Sequence, residues 1–345
     1  MSVTRRRFSK GAAFAAAAFI AGESRKLSAA SLETVSVGTI NATSDAGIFL
    51  AQEFGYARDE GLEIVINTIT SAPAIVAAVA TNQIDVGGLS VTPGLFTAVD
   101  QGINLRIVWD KQSFSPGFGS TKLVVRKAVV KSSEKETVES LRGKTVAVNS
   151  RGAITFYFMF KLLQKYSLSL SDVNLIELSY PNIAVALSKG TIECGSLIEP
   201  FVTKSLQTGD TQVIGGELLE FVPGGRMSVT PLVYSEGMRQ KKKIADAFMR
   251  TYMRGVRAYN DAFVKSVRKD EVIAIIAKRT QVDEKLVRDS FLPGLDPDQR
   301  VNIDALNAVE KFYAEQGSIR NVIDASKIVD LSFADAALSV LGPYK

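Results

Sequence analysis

The chain has 345 residues, with 41 Lys and Arg against 36 Asp and Glu, no His and one Cys. Because His is missing, a Ser–His or Cys–His catalytic pair and a His-ligated metal or haem are excluded. The single cysteine, Cys194, excludes an intrachain disulfide.

Residues 1–30 have the order of parts of a twin-arginine export signal. The segment Thr4–Lys10 (TRRRFSK) fits the pattern S/T-R-R-x-F-x-K, and a weakly apolar run, Gly11–Gly22, follows it. Two basic residues then precede Ser28–Ala30, a small-residue cleavage site. The run is too short to span a bilayer. We expect export in folded form by the twin-arginine machinery, cleavage near Ala30 and a periplasmic location; the competing interpretation is a disordered basic terminus.

Removal of this segment changes the charge balance of the chain. It takes away six Lys and Arg and one Glu, which leaves 35 basic and 35 acidic residues. A neutral chain gives no support for a nucleic-acid surface or a basic membrane-binding face. The remaining length, with 46% apolar residues overall, is sufficient for two lobes of ordinary domain size.

Predicted strands and helices alternate through the first part of the chain. A polar turn, Asn41–Gly47, follows the first strand and opens a helix that runs to about Phe54. The strands predicted here are Thr34–Ile40, Leu62–Ile69, Ile84–Leu89 and Asn104–Trp109. Short links between alternating strands and helices indicate a mostly parallel sheet covered by helices.

The same alternation returns after a crossover strand at Lys122–Arg126. It gives the strands Thr145–Val148, Asn174–Leu178 and Val213–Ile214 and the helix Phe156–Tyr166. Ser228–Tyr234 is predicted to return to the first lobe, and the helices Glu236–Phe263, Asp270–Lys278, Asp283–Phe291, Ile303–Gln316 and Phe333–Leu341 follow. The predicted organisation is a signal at 1–30, lobe I at 31–122 and 228–345, and lobe II at 123–227.

Two segments of the chain look like copies of one structural unit. Ala74–Leu89 (AIVAAVATNQIDVGGL) and Asn182–Leu197 (NIAVALSKGTIECGSL) align without a gap, and this alignment pairs Asp85 with Glu193. Each reads as a short helix, a turn, an acidic residue and a strand of small residues. A true repeat predicts two similar α/β lobes with a cleft between them; chance similarity among Ala-rich segments is the alternative.

The candidate ligand contacts lie in the turns after the predicted strands. In open α/β sheets, ligands bind beyond the carboxyl ends of the strands, where helix N-termini present free N–H groups that favour anions. The residues predicted to bind a ligand are Ser44, Ser71, Ser90, Thr92, Arg151, Gly152, Thr155, Tyr180, Asn182 and Glu199. Arg151 offers a bidentate contact to a sulfonate or carboxylate.

Each of these residues has a plainer interpretation. The four first-lobe hydroxyl residues cap helices in any case. Arg151 could face solvent or bridge the lobes, and Tyr180 could pack under Pro181. Glu199 could bind a ligand amine or cation, or it could order neighbouring turns as a hydrogen-bond acceptor; we favour the second role.

Several short motifs together resemble a known family. They are Gly143-Lys144-x-Val146-x-Val148, Asp172-Val173, Ala186-Leu187-x-x-Gly190-x-Ile192-Glu193 and Glu199-Pro200. The chain is similar, from about Val35 to its last helices, to the substrate-binding proteins of ABC importers for sulfonates, taurine and nitrate, which are grouped with binders of thiamine-pyrimidine precursors.

This resemblance implies a fold and a function. The fold would be a type II-like α/β clamp with two crossover strands, and the protein a monomer that delivers a small organic anion, a sulfonate or carboxylate, to an inner-membrane ABC permease. A pyrimidine-type ring is the alternative ligand, and a related exported enzyme is the alternative class. The eukaryotic synthase of the family relies on a His and a Cys-rich motif, which this chain lacks, and no cofactor motif is present.

Overall fold

The computed structural model describes residues 31–69, 71–114, 117–216, 218–298 and 301–345, so the predicted export signal and its cleavage lie outside the described residues. The strands are β1 (Glu33–Thr39), β2 (Leu62–Thr68), β3 (Val86–Gly88), β4 (Arg106–Phe114), β5 (Thr121–Arg126), β6 (Thr145–Val148), β7 (Asn174–Glu177), β8 (Cys194–Ile198), β9 (Thr211–Ile214) and β10 (Met227–Tyr234). The helices are α1 (Ala46–Glu53), α2 (Tyr56–Asp59), α3 (Ala72–Ala80), α4 (Pro93–Asp100), α5 (Glu134–Glu139), α6 (Ile154–Lys165), α7 (Tyr180–Lys189), α8 (Phe201–Gln207), α9 (Glu236–Gln240), α10 (Lys242–Val264), α11 (Lys269–Thr280), α12 (Glu284–Asp289), α13 (Ile303–Glu315) and α14 (Ser332–Leu341).

In the described residues, these strands form two sheets of five with the same topology. The first sheet has the order β2-β1-β3-β10-β4 and the second the order β7-β6-β8-β5-β9. In each sheet three neighbouring strands are parallel, and the fourth in the order runs antiparallel to both of its neighbours. The predicted α/β fold with two mostly parallel sheets is confirmed.

The two copies of the repeated segment occupy equivalent places. The first forms α3 and β3, the second α7 and β8, and both strands are third in their sheet order. The small residue in each strand has a packing reason. A Cβ on Gly87 would lie 2.9 Å from Ile75 Cγ2, and one on Gly195 would lie 2.5 Å from Ile183 Cγ2. The glycines therefore let the preceding helix rest directly on the sheet.

The acidic residues of the repeat also make equivalent hydrogen bonds. Asp85 Oδ2 accepts from the Ser36 N–H at 2.9 Å, and Glu193 Oε2 accepts from the Thr145 N–H at 3.1 Å. Ser36 lies on β1 and Thr145 on β6, and each of these strands is second in the order of its sheet. Shared side-chain chemistry at matched positions supports a true repeat over chance similarity.

Two predicted elements differ from those in the structure. The fourth strand does not end at Trp109 but continues through Asp110–Phe114, all of it buried. A prediction based on apolar pattern stops there because buried charges are rare and need partners. The predicted helix Glu236–Phe263 is interrupted at Lys241, which has ψ 56° and separates α9 from α10.

The buried apolar residues between the sheets and the helices form three clusters. One cluster lies between the first sheet and α1, α10 and α11, and another between the second sheet and α7 and α8. The third includes residues of both sheets. Phe312 of α13 contributes to it, with ring centroids 5.5, 5.2 and 4.9 Å from Phe156, Tyr157 and Phe160 of α6.

A C-terminal segment passes from the first sheet to the second beside the crossover strands. The Leu292 carbonyl accepts from the Gly119 N–H, and the Gly294 carbonyl accepts from the Ser113 N–H at 2.8 Å. The Phe291 N–H donates to Glu199 of the second sheet at 2.9 Å. The resemblance implies two crossover strands; the structure adds this third connection.

Candidate ligand-binding site

Helix N-termini from the two sheets meet at Gly152. Gly152 precedes α6, which follows a strand of the second sheet, whereas Pro73 and Pro93 lie at the starts of α3 and α4 on the first sheet. A Cβ on Gly152 would lie 3.5 Å from Pro73 Cγ and 3.6 Å from Pro93 Cδ, which is van der Waals contact. The carboxyl edges of both sheets are therefore close together, separated by about one side-chain atom, at the place where the sequence predicts a site.

On the first sheet, Ser44 lies beside a fully buried ion pair. Lys111 Nζ donates to Asp45 Oδ1 at 2.5 Å and to Ser44 Oγ at 3.1 Å, and both charged side chains have 0% exposure. The Lys111 stem crosses Gly88, where a Cβ would lie 2.7 Å from Lys111 Cε. Asp45 Oδ2 also accepts from the Ala42 N–H, so the pair ties the turn after β1 to β4.

The other first-sheet candidates lie at helix starts. Thr92 is buried and caps α4, because its Oγ1 accepts from the Leu95 N–H at 3.2 Å. Ser71 holds the N-cap position of α3 but makes no capping hydrogen bond with its side chain. Ser90 precedes Thr92 and is partly buried. Thr92 therefore caps its helix as the plainer interpretation expects, whereas the Ser71 hydroxyl makes no capping hydrogen bond.

On the second sheet, Thr155 and Tyr180 are buried and adjacent. Burial raises the pKa of Tyr180 to about 12, and the neighbouring Thr155 hydroxyl opposes this shift weakly. The Tyr180 ring stacks on Phe201 with centroids 6.4 Å apart. Ser196 Oγ donates to the Thr155 carbonyl at 3.1 Å, which fixes the first turn of α6 on β8.

Two predicted contacts have their side chains on the surface. Arg151 is 51% exposed, and its Nε lies 3.6 Å from Glu177 Oε1 of the same sheet. Its guanidinium also lies over the Phe156 ring. Asn182 is exposed on α7. Neither side chain joins the buried hydroxyl groups at the meeting point of the sheets.

Glu199 is fully buried and its carboxylate accepts several hydrogen bonds. Oε1 accepts from Thr203 Oγ1 at 2.7 Å and from the Phe291 N–H at 2.9 Å, and Oε2 accepts from the Thr203 N–H at 3.1 Å. Burial raises the pKa of Glu199, and these hydrogen bonds oppose the shift. The arrangement is the one expected of an acceptor that orders neighbouring turns.

Sequence reasoning missed Lys111, Asp45 and Tyr313. Tyr313 of α13 donates from its hydroxyl to the Val91 carbonyl at 3.0 Å, next to the capping residue Thr92. No local signal identifies Lys111, because the charges at 110 and 111 end the apolar pattern of the strand and the partner Asp45 is distant in the sequence. Nothing in the local sequence of α13 indicates that its tyrosine reaches the site.

Asp110, the neighbour of Lys111, lies in a second buried charge cluster. Arg226 Nη2 is 3.5 Å from Asp110 Oδ2 and also pairs with Asp296. Burial raises the pKa of Asp110 from 3.8 to about 8, Arg226 opposes the shift, and Asp296 adds to it. Asp110 is therefore protonated in the folded chain across much of the range in which an unfolded Asp is ionised.

We predict that this residue makes the protein less stable as pH rises from about 4 to about 8. The folded state binds a proton that the unfolded state has lost, so the free energy of unfolding falls through this window, by about 1.4 kcal/mol for each pH unit. Asp110→Asn should flatten the decline in urea unfolding measured at pH 5, 6.5 and 8. The surface variant Asp289→Asn should keep it. A difference between Asp110→Asn and wild type that is constant with pH would contradict the assignment.

The described residues contain no arrangement of three or more His, Cys, Asp or Glu side chains suited to a metal ion. Cys194 is buried on β8, and burial raises the pKa of its thiol to about 12, so a reactive thiolate is disfavoured. In the part of the chain that the structure describes, no helix combines the length and apolar character needed to cross a bilayer.

A comparison with models of protein families identifies the family of this chain. Residues 28–277 match the model of the NMT1-like family, which is more than half of the chain. The chain belongs to the NMT1-like family. The comparison with curated proteins found no match.

Solved structures share the fold of this NMT1-like chain at low identity. The alkanesulfonate-binding protein SsuA from Xanthomonas axonopodis pv. citri, bound to MOPS, has a TM-score of 0.69 at 18% identity, over 88% of this chain and 99% of that one. The periplasmic nitrate-binding protein NrtA from Synechocystis PCC 6803 has a TM-score of 0.73 at 14% identity, over 90% and 89%.

An enzyme is also among the similar structures. A variant of the desulfurization enzyme DSZB in complex with biphenyl-2-sulfinic acid has a TM-score of 0.62 at 12% identity, over 89% of this chain and 99% of that one. Two-lobed periplasmic binding proteins and an enzyme thus share this α/β architecture, and the fold by itself does not choose between them.

Proposed function

We propose that this NMT1-like protein is the solute-binding component of an ABC importer and holds a small organic anion between its two sheets. The observation that carries the proposal is the close approach of Gly152 to Pro73 and Pro93, in which a single added Cβ would reach both prolines, so that helix starts from both sheets lie near one point. Ligands of open α/β sheets bind at such edges. SsuA and NrtA, which are sulfonate- and nitrate-binding proteins, have the same fold.

The chemistry of this edge favours an anion over a cation. The starts of α3, α4, α6 and α7 present N–H groups that have no partner within their helices, and each helix dipole favours a nearby negative charge by about 0.3–1 kcal/mol. The buried Lys111 is already paired with Asp45, so recognition rests on amides and on the hydroxyls of Ser71, Thr155 and Tyr180. A sulfonate or carboxylate, with several acceptor oxygens, matches such donors.

The proposed lobes follow the two sheets. Lobe I comprises 31–122 and 228–345, and lobe II comprises 123–227, so the chain enters lobe II after β4 and returns with β10. Rotation of one lobe against the other would enclose the ligand, and the inner-membrane permease would recognise the closed form. The protein would act as a monomer in the periplasm after export by the twin-arginine machinery and cleavage near Ala30.

We further propose that the chain binds its ligand without chemical change, although a DSZB enzyme shares the fold. The chain has no His, and its one Cys is a buried residue of a strand with a raised pKa. Neither a thiolate nucleophile nor an imidazole base is therefore at hand. Incubation of the protein with a bound sulfonate or sulfinate should return the compound unaltered by mass spectrometry; a released sulfite would contradict this.

The proposal predicts specific binding of a small anion. Thermal shift and calorimetry with alkanesulfonates, taurine, nitrate, short carboxylates and pyrimidines should find a ligand that binds more tightly than millimolar. Gly152→Trp should weaken that ligand at least about tenfold, because the indole fills the space between the helix starts. The matched variant Ala77→Trp, on the exposed side of α3, should bind normally. Gly152→Trp with unchanged affinity would place the ligand elsewhere.

A further inference from the structure

A groove on the second sheet has no role in the proposed cleft. It lies between α7 and α8 and has a volume of about 260 Å³. Residues at helical spacing line it from both sides: Pro181, Ala184, Val185, Ser188 and Lys189 of α7, and Phe201, Lys204 and Ser205 of α8 with its C-cap residue Thr208. Spacings of three, four and seven residues put each set on one helix face.

The floor of the groove is apolar although it is open to solvent. The inward face of α7 already packs on the sheet through Ile183 and Leu187, both with 0% exposure. Val185, on the opposite side of the helix, is 50% exposed. An amphipathic helix has one apolar stripe toward the core, and here α7 carries a second stripe that faces the groove.

The charges of the groove have one sign. Lys189 and Lys204 are exposed residues of the lining, and no carboxylate belongs to the lining. Among the described residues, no Asp or Glu lies within ion-pair distance of either lysine. The groove thus offers apolar contact together with two positive charges that form no ion pair among the described residues.

We propose that this groove binds an amphipathic organic anion, with the apolar part on Val185 and Phe201 and the acid group at the lysines. The groove extends about 12 Å along α7, given the rise of about 1.5 Å per residue, which suits a small molecule and is short for a docked partner helix. It lies behind the stack of Phe201 on Tyr180, so the groove and the proposed cleft share one aromatic wall. The site is separate from the importer ligand and does not depend on its identity.

The test uses 4-phenylbutyrate and its neutral analogue 4-phenylbutan-1-ol as probes on the full-length protein. We expect calorimetry and NMR shift mapping to show 4-phenylbutyrate bound at α7 and α8, and bound at least about threefold more tightly than the alcohol because of the two lysines. Binding should persist in Gly152→Trp, in which the cleft is blocked. Measurement in the Gly152→Trp variant therefore tests the groove site independently of the proposed importer function.

Variants on the groove locate the site. Val185→Glu should weaken 4-phenylbutyrate about tenfold, since it removes an apolar contact and adds a like charge. Lys189→Gln with Lys204→Gln should abolish the preference over the alcohol. The controls are Val340→Glu, at a valine 66% exposed on α14, and Lys161→Gln with Lys311→Gln in a groove that also contains Glu220 and Glu315. Both controls should bind as wild type does.

Four results would overturn the proposal. The first is equal affinity for the acid and the alcohol, and the second is loss of binding in Gly152→Trp together with wild-type affinity in Val185→Glu. The third is binding of an acidic helical peptide but of neither probe. The fourth is a sedimentation coefficient that is lower for Val185→Glu than for the wild-type protein. The last two would assign the groove to a protein segment or to a second copy of the chain.

Discussion

Lys111→Met is expected to lower the free energy of unfolding by about 3–5 kcal/mol. The variant leaves the Asp45 carboxylate fully buried without its counter-charge, and removal of one partner of a buried ion pair is strongly destabilising. The turn that contains Ser44 also loses its tie to β4. Urea unfolding followed by circular dichroism measures the difference.

The double variant Asp45→Asn with Lys111→Met separates charge from packing. No uncompensated charge remains, so we expect it to recover more than half of the stability that Lys111→Met loses. Lys285→Met is the surface control, because its partner pair with Asp289 is exposed and such pairs contribute about 0–1 kcal/mol. If Lys111→Met unfolds at the same urea concentration as Lys285→Met, the buried pair of Lys111 with Asp45 does not contribute to the free energy of unfolding as predicted.

Gly255→Ala should destabilise the protein by about 3 kcal/mol or more. Gly255 lies where α10 crosses α1, and a Cβ there would overlap the Gly47 carbonyl oxygen and lie 2.9 Å from the Ala51 nitrogen. These are backbone atoms of a helix, which cannot move aside as a flexible side chain can. Overpacking usually costs about 1–3 kcal/mol, and more where the neighbours are rigid.

The matched control for this prediction is Gly94→Ala. Gly94 is also in a helix, but the nearest atom to its added Cβ is 3.7 Å away. Replacement of a helical glycine by alanine, where the new Cβ makes only ordinary van der Waals contacts, should be neutral or stabilise by up to about 1 kcal/mol. Equal stabilities of the two variants would show that α1 and α10 are not in close backbone contact.

The sequence predicts the fold well because the two repeat copies and the strand–helix alternation are local signals. Ile75 and Ile183 recur with Gly87 and Gly195 because each pair forms one helix-on-sheet contact. The extension of β4 is not predictable in this way. Its polar residues are buried only because distant partners such as Asp45 and Arg226 meet them in the folded chain.

The candidate site is predictable as a set of turns but not as a set of side-chain directions. Topology puts Gly152 and Thr155 at the edge where helix starts meet, as the strand order requires. Whether Arg151 turns inward depends on Glu177, a neighbour on the next strand that competes for its guanidinium. The ligand-binding roles of the ten candidate residues stay predictions until a complex is measured.

The strand order of the first sheet has a consequence for assembly on the ribosome. Within that sheet β4 is hydrogen-bonded to β10, which is synthesised only after every strand of the second sheet. The nascent chain must therefore hold β4 without its sheet neighbour until β10 emerges, whereas β5–β9 are already complete. The second sheet can therefore form first, and translation of the last third of the chain determines when the first sheet and the helices packed on it are completed.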